Sequence, residues 1–239
     1  MHFYNQILQS KKLNQKLLAI LIDPDKINLS IIDRLSQKIN QSPATHIFIG
    51  GSSFDGNHLD EIIEKLKLKN TIPVILFPGN PSQISSKADA ILFLSLISGR
   101  NPDFLIEHQV NAVPMLKKTN LEIISTGYLL IKSGKKTAVE RVSHTKPLSR
   151  ENPKYILQTA QAGEMLGNKL IYLEAGSGAD LPVPTEIITL VAQNIDIPLI
   201  VGGGIRSLPE IEKAHQAGAD LVVIGTAFET DNDFFKSEI

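Results

Sequence analysis

The sequence predicts an α/β fold of the (β/α)8 barrel (TIM-barrel) type, and three observations carry that prediction. Short apolar runs rich in branched residues recur along the 239-residue chain, each too brief for a helix, which marks strands buried on both faces. Stretches of helical spacing separate them, so strand and helix alternate and the sheet is parallel. The runs number eight, and the length is close to the ~250 residues such a barrel takes. A doubly wound open sheet shares this periodicity.

The runs are LLAILI (17–22), HIFI (46–49), PVILF (73–77), AILFLSL (90–96), LEIISTGYLLI (121–131), LIYL (170–173), PLIV (198–201) and LVVIG (221–225). Between the first two, Leu29, Ile32, Leu35 and Ile39 fall on one helical face; Ile156, Ala160, Gly163 and Leu166 do the same ahead of the sixth run. The third unit is thinner, because PGNPSQISSKAD after Phe77 has little apolar periodicity, and it is expected to lack a regular helix. Residues 132–152 are polar and read as a long loop. With no linker or low-complexity tract, residues 1–239 read as a single domain.

Composition narrows the partners. A formal net charge of −1 with dispersed Lys and Arg offers no basic surface for nucleic acid. The chain has no cysteine, which excludes disulfides, thiolate nucleophiles and cysteine-ligated metals. The polar N-terminus resembles no signal peptide, and no apolar run approaches the ~20 residues of a membrane span. A cytoplasmic location without stable membrane insertion is expected.

The two ends of the strands differ. Strand starts are plain, whereas strand exits carry Asp23-Pro24-Asp25, Gly50-Gly51-Ser52-Ser53, Pro78-Gly79-Asn80, Glu174-Ala175-Gly176-Ser177-Gly178, Gly202-Gly203-Gly204 and Gly225-Thr226. In a parallel barrel the exits share the face that holds the active site. Gly202-Gly203-Gly204 and Gly225-Thr226 at the ends of the last two strands match the commonest phosphate site of such barrels, in which bare backbone N–H groups and helix N-termini meet the anion; tight turns alone are the structural alternative. Ser207 is the expected N-cap of the helix after the glycine triplet. Gly176 and Gly178 approach the same place, and the hydroxyls of Ser177 and Tyr172 can donate to phosphate oxygens.

Glu174 is the exception in this anion-friendly rim. Strand alternation points it inward with Tyr172, where a carboxylate suits a hydroxyl a few bonds from the phosphate and can take its proton as general base. An ion pair with Arg206 or a lysine is the structural alternative. Asp23 and Asp25 can serve Mg²⁺, which commonly uses one or two carboxylates and fills its shell with substrate phosphates and water, with Ser52 adding a hydroxyl. Alternatively, one of them caps the following helix or fixes the Pro24 turn. SGKKT (133–137) lacks the spacing of a Walker loop, and GSGADL (176–181) lacks the last glycine of a dinucleotide fingerprint. His46, beside a strand, reads as structural.

Taken together, LIDPDK, IFIGGSS, ILFPGN, YLEAGSGA, IVGGGIRS and VIGTAFE resemble the geranylgeranylglyceryl phosphate synthase family, which shares its fold with bacterial heptaprenylglyceryl phosphate synthases. The resemblance runs over residues 17–229, and LIDPDK suggests the second of the family's two archaeal-type groups. It implies a Mg²⁺-dependent prenyltransferase that joins sn-glycerol 1-phosphate to geranylgeranyl diphosphate as an ether. The implied glycerol-phosphate site comprises Tyr172, Leu173, Glu174, Ala175, Gly176, Ser177, Gly178, Gly203, Gly204, Gly225 and Thr226. The implied metal site comprises Asp23 and Ser52, and the implied base is Glu174. A homo-oligomer and an irregular third βα unit also follow from the resemblance. Leu21 stands where other branches carry a lysine.

Arg206, Lys146 and Arg150 are candidates for diphosphate contacts, each equally explained as a solvated surface residue. A buried methylene is worth ~0.8 kcal/mol against ~1.5–3 kcal/mol for a charged headgroup contact, so a C20 tail readily supplies affinity. Its length must then be set sterically by an apolar groove, for which Phe77, Phe93, Leu96 and Phe104 are candidates. A longer prenyl donor, a sugar-phosphate isomerase-type barrel and a noncatalytic phosphometabolite sensor are the competing readings.

Overall fold

The computed structural model describes residues 3–51, 58–231 and 233–235. Eight parallel strands close into one barrel in sequential order: β1 (Leu17–Ile22), β2 (His46–Ile49), β3 (Val74–Leu76), β4 (Ala90–Ser95), β5 (Glu122–Leu130), β6 (Leu170–Glu174), β7 (Leu199–Gly202) and β8 (Leu221–Ile224), with β8 pairing back onto β1. Every strand lies where an apolar run predicts one, within two residues at either end. The open sheet is thereby excluded.

Alternation along the strands sorts side chains into two cores. Leu17, Ala19, Phe48, Ile75, Leu92, Tyr128, Tyr172, Ile200 and Val223 fill the barrel, while Leu18, Ile20, Ile47, Leu173, Val201 and Val222 pack outward under the helices. The helices are α1 (Phe3–Lys12), α2 (Ile32–Asn40), α3 (Leu59–Lys69), α4 (His108–Leu116), α5 (Ala138–Ser143), α6 (Pro153–Met165), α7 (Thr185–Ala192), α8 (Leu208–Gln216) and α9 (Thr226–Thr230). Helix α1 closes the floor: its Ile7 is fully buried in the inner core, and Glu122 at the start of β5 accepts from the N–H groups of Phe3 and Tyr4, satisfying orphan donors of the first turn.

Two expectations need correction. Residues 132–152 are not wholly loop, because Thr137 and Glu140 form a reciprocal capping box that starts α5; Thr-x-x-Glu is a start signal readable in the sequence. Leu166 does not share the buried face of Ile156, Ala160 and Gly163, being the C-terminal cap of α6 and 80% exposed. The third unit is irregular as expected: between β3 and β4 there is only a 3-10 turn, Pro81–Gln83. His46 is buried on β2, bonded to the Thr45 hydroxyl at 2.8 Å, and burial pushes its pKa down to about 4. It remains a neutral core residue.

Candidate active site

The strand exits open into a cavity of about 930 Å³. One side is polar and the other apolar, lined by Phe77, Ile84, Phe93, Leu96, Phe104 and Ala112. The third unit, which has no regular helix, contributes Phe77 and Ile84 to this apolar arm, and Gln83 on its 3-10 turn holds the rim together. Its side chain donates to the Gly51 carbonyl at 2.7 Å and accepts from the Gly79 N–H at 2.9 Å, joining the exits of β2 and β3. No sequence signal marked this residue, because the bond pairs a lone amide with backbone far along the chain.

On the polar side, the exits of β6, β7 and β8 converge as expected. Gly203 and Gly204 have φ of +81° and +72°, conformations that side chains resist. The hydroxyls of Ser177 and Thr226 face each other at 3.5 Å. Among the described residues, the N–H groups of Ser177, Gly178 and Gly204 donate to no acceptor within the chain, so the cup presents bare donors. Of the other predicted residues, Gly225 lines the cavity, whereas the side chains of Leu173 and Ala175 sit in the outer core. Ser207 takes the N-cap position of α8 without a capping bond from its side chain.

Glu174 ends β6 and points inward at the edge of this cup, 5% exposed. Its Oε1 accepts from the Gly176 N–H at 2.6 Å. Burial pushes its pKa up to about 7, against the lowering influences of that N–H and the Tyr172 hydroxyl. The Tyr172 hydroxyl lies beside the carboxyl but falls short of a well-formed hydrogen bond and is buried without a partner. Beneath it the rings of Phe77 and Tyr128 pack against Tyr172 at 5.4 and 5.3 Å. Tyr128, two strand positions from the end of β5, escapes a reading based on exit motifs alone.

The alternative reading of Glu174 as an ion-pair partner is not met: no cation bridges it among the described residues. Arg206 instead donates to the carbonyls of Ala179 at 2.6 Å and Asp180 at 3.3 Å. A carboxyl that is buried, uncompensated and half-ionised near neutrality is suited to exchange a proton with a ligand.

Asp23 lines the cavity opposite. Its Oδ1 accepts from the Asp25 N–H at 3.2 Å and so fixes the Pro24 turn, while its Oδ2 lies 3.3 Å from Lys26 Nζ. Lys26 also pairs with Glu229 at 3.1 Å. Ser52 lies outside the described residues. Of the basic candidates, Arg206 reaches the cavity, whereas Arg150 donates to the Pro182 carbonyl and Lys146 lines a separate, shallower depression with Arg100 and Tyr155.

Fold and cup define a parallel barrel whose open end is shaped for a phosphorylated ligand with an apolar portion. The chain belongs to the PcrB family, whose model matches residues 7–239. It is 66% identical to the geranylgeranylglyceryl phosphate synthase of Flavobacterium johnsoniae, over 98% of this chain and 96% of that protein. The enzyme of the same name from Korarchaeum cryptofilum is 40% identical, over 95% and 93%. The crystal structure of (S)-3-O-geranylgeranylglyceryl phosphate synthase from Thermoplasma acidophilum, in complex with sn-glycerol-1-phosphate, superposes with a TM-score of 0.91 at 36% identity, covering 99% of this chain and 95% of that one.

Proposed function

We propose that this protein transfers the geranylgeranyl group of geranylgeranyl diphosphate to the distal hydroxyl of sn-glycerol 1-phosphate. The reading is carried by one observation: a buried carboxyl without an ion-pair partner among the described residues lies beside the glycines of the cup, in a cavity that also has an apolar arm. The names of its relatives supply the substrates.

The cup holds the acceptor's phosphate through bare N–H groups and the Ser177 and Thr226 hydroxyls, which fixes the distal hydroxyl near Glu174. The prenyl tail occupies the apolar arm, bringing C1 to the same point. The C1–O bond to diphosphate breaks as C1 gains cationic character, the glycerol oxygen bonds to C1, and Glu174 takes the hydroxyl proton. The products are the ether and diphosphate.

A Mg²⁺ requirement belongs to the same reading. No group of three or more acidic, histidine or cysteine side chains able to hold a metal occurs among the described residues, so a metal cage does not fit those residues. One partly exposed carboxylate, Asp23, does fit the sparser mode in which Mg²⁺ takes its remaining oxygens from substrate phosphates and water. When bound there, the ion supplies neutralisation of the departing diphosphate.

No helix among the described residues is long and apolar enough to cross a membrane, and the absence of cysteine accords with cytoplasmic work. The exposed apolar side chains Ile106, Val110 and Val113, on and just before α4, support a homo-oligomer. The direct assay incubates the protein with labelled sn-glycerol 1-phosphate and geranylgeranyl diphosphate, with Mg²⁺ or EDTA. An organic-extractable phosphoether that forms only with the metal is expected; its absence under both conditions defeats the assignment.

A further inference from the structure

We propose that Lys135 is a mobile phosphate clamp, held at the lip of the glycine cup by Asp180 until the acceptor's phosphate arrives. The proposal rests on the acceptor reading above and names the cation that completes its site. The cup needs one. A dianionic phosphate seated there lies near the carboxyl of Glu174, and at the exit of β1 the side chain nearest Gly225 is that of Leu21, which carries no charge.

Five cations line the cavity: Lys26, Lys135, Lys136, Arg141 and Arg206. Lys26 is held by two carboxylates, Asp23 and Glu229. Arg206 is anchored by the carbonyls of Ala179 and Asp180, and Arg141 donates to the Lys136 carbonyl. Lys136 stays more than 4 Å from the place of a Cβ on Gly178; Lys135 differs in position and in restraint. Its Nζ lies only 3.9 Å from where a Cβ on Gly178 would stand, so the ammonium overhangs a cup glycine.

The loop geometry places it there. Ser133 and Lys135 bridge across Gly134, which has a φ of +99°, and the Leu181 N–H donates to the Ser133 carbonyl. Together these contacts fold residues 133–135 against the segment that follows the cup. Asp180 is the only carboxylate paired with Lys135 among the described residues, at 3.3 Å, and both side chains are about half exposed. Such a pair is weak. A phosphate offers more charge and better-directed acceptors, so the ammonium exchanges partners without any backbone movement, while Arg206 keeps the Asp180 backbone in place.

The test is calorimetric titration of the full chain with sn-glycerol 1-phosphate and, separately, inorganic phosphate, at low and high salt. Lys135→Met is expected to weaken both ligands about tenfold and flatten the salt dependence of Kd, and Lys135→Arg to recover binding to within about threefold. Asp180→Asn is expected to bind at least as tightly as wild type. An unchanged Kd in Lys135→Met overturns the clamp, and a tenfold loss in Asp180→Asn overturns the exchange. If wild type binds inorganic phosphate but not sn-glycerol 1-phosphate, the acceptor reading falls while the phosphate titrations still decide Lys135. If it binds neither, both fall.

Discussion

The Gly176 N–H donates to Glu174 Oε1 at 2.6 Å, and this bond exists because Gly203 on the neighbouring strand exit leaves room for it. A Cβ on Gly203 would overlap Glu174 Oε1 and stand 2.5 Å from the Gly176 nitrogen. The carboxyl's aim is therefore set by a missing side chain elsewhere in the chain. Gly203→Ala should break the bond and force a side chain into a left-handed conformation, at a cost on the order of 1–3 kcal/mol. Urea unfolding should show that loss, and turnover should fall further than stability. A variant with native turnover would show that the carboxyl's placement is not critical.

Glu174→Gln tests the base itself. Glutamine keeps the shape and can accept from Gly176, but it cannot take a proton, so turnover should fall by at least about a hundredfold while binding of glycerol 1-phosphate persists. Stability provides a second readout. The raised pKa means the native state keeps the proton up to about pH 7, whereas the unfolded chain loses it near 4.5. The stability this protonation provides is complete below about 4.5 and is lost as pH rises through 7, leaving a buried charge that costs on the order of 3 kcal/mol at pH 8. Glutamine carries no charge, so the variant should be more stable than wild type at pH 8 and nearly equal to it at pH 4. Equal stabilities at pH 8 would contradict the buried, uncompensated carboxyl.

How far the sequence anticipates this site depends on the range of each interaction. Barrel, strand exits and the inward aim of Glu174 and Tyr172 follow from period-2 alternation and local glycine patterns, and the structure agrees with them. The contributions of Gln83, Tyr128 and Lys135 do not, since each arises where a lone side chain meets an element distant in sequence or in the barrel. Helix α5 is legible in the sequence, because Thr137 and Glu140 sit at capping-box spacing, although the polarity of the surrounding stretch points to loop. For Arg206 the structure adds partners that its charge did not suggest: two of its donors meet the carbonyls of Ala179 and Asp180.

Asp23→Asn separates the two roles of this carboxylate. An asparagine oxygen can still accept from the Asp25 N–H and keep the Pro24 turn, so the fold should be retained to within about 1 kcal/mol. The loss of charge frees Lys26 from one of its two partners and removes the carboxylate to which the Mg²⁺ role is assigned. Turnover should fall by about a hundredfold or more and respond to higher Mg²⁺, while titration with glycerol 1-phosphate alone should be unchanged. Native turnover at low Mg²⁺ would dismiss the metal role and leave Asp23 a turn residue.

Tyr172→Phe probes the buried hydroxyl that has no hydrogen-bond partner. Beside Glu174 it lowers the carboxyl's pKa and so partly offsets the effect of burial. Without it that pKa should rise further, and the acid limb of the kcat/KM profile, which reports the free enzyme, should move to higher pH. The acceptor's own phosphate ionisation is common to both enzymes and cancels in the comparison. Because an unsatisfied buried hydroxyl costs about 1–3 kcal/mol, its removal should leave the fold as stable or more so, which separates an electrostatic effect from damage to the barrel. Activity near pH 6 should therefore drop severalfold and recover toward pH 9. A limb that stays still or moves to lower pH, in a variant that folds normally, would mean that the hydroxyl does not tune Glu174.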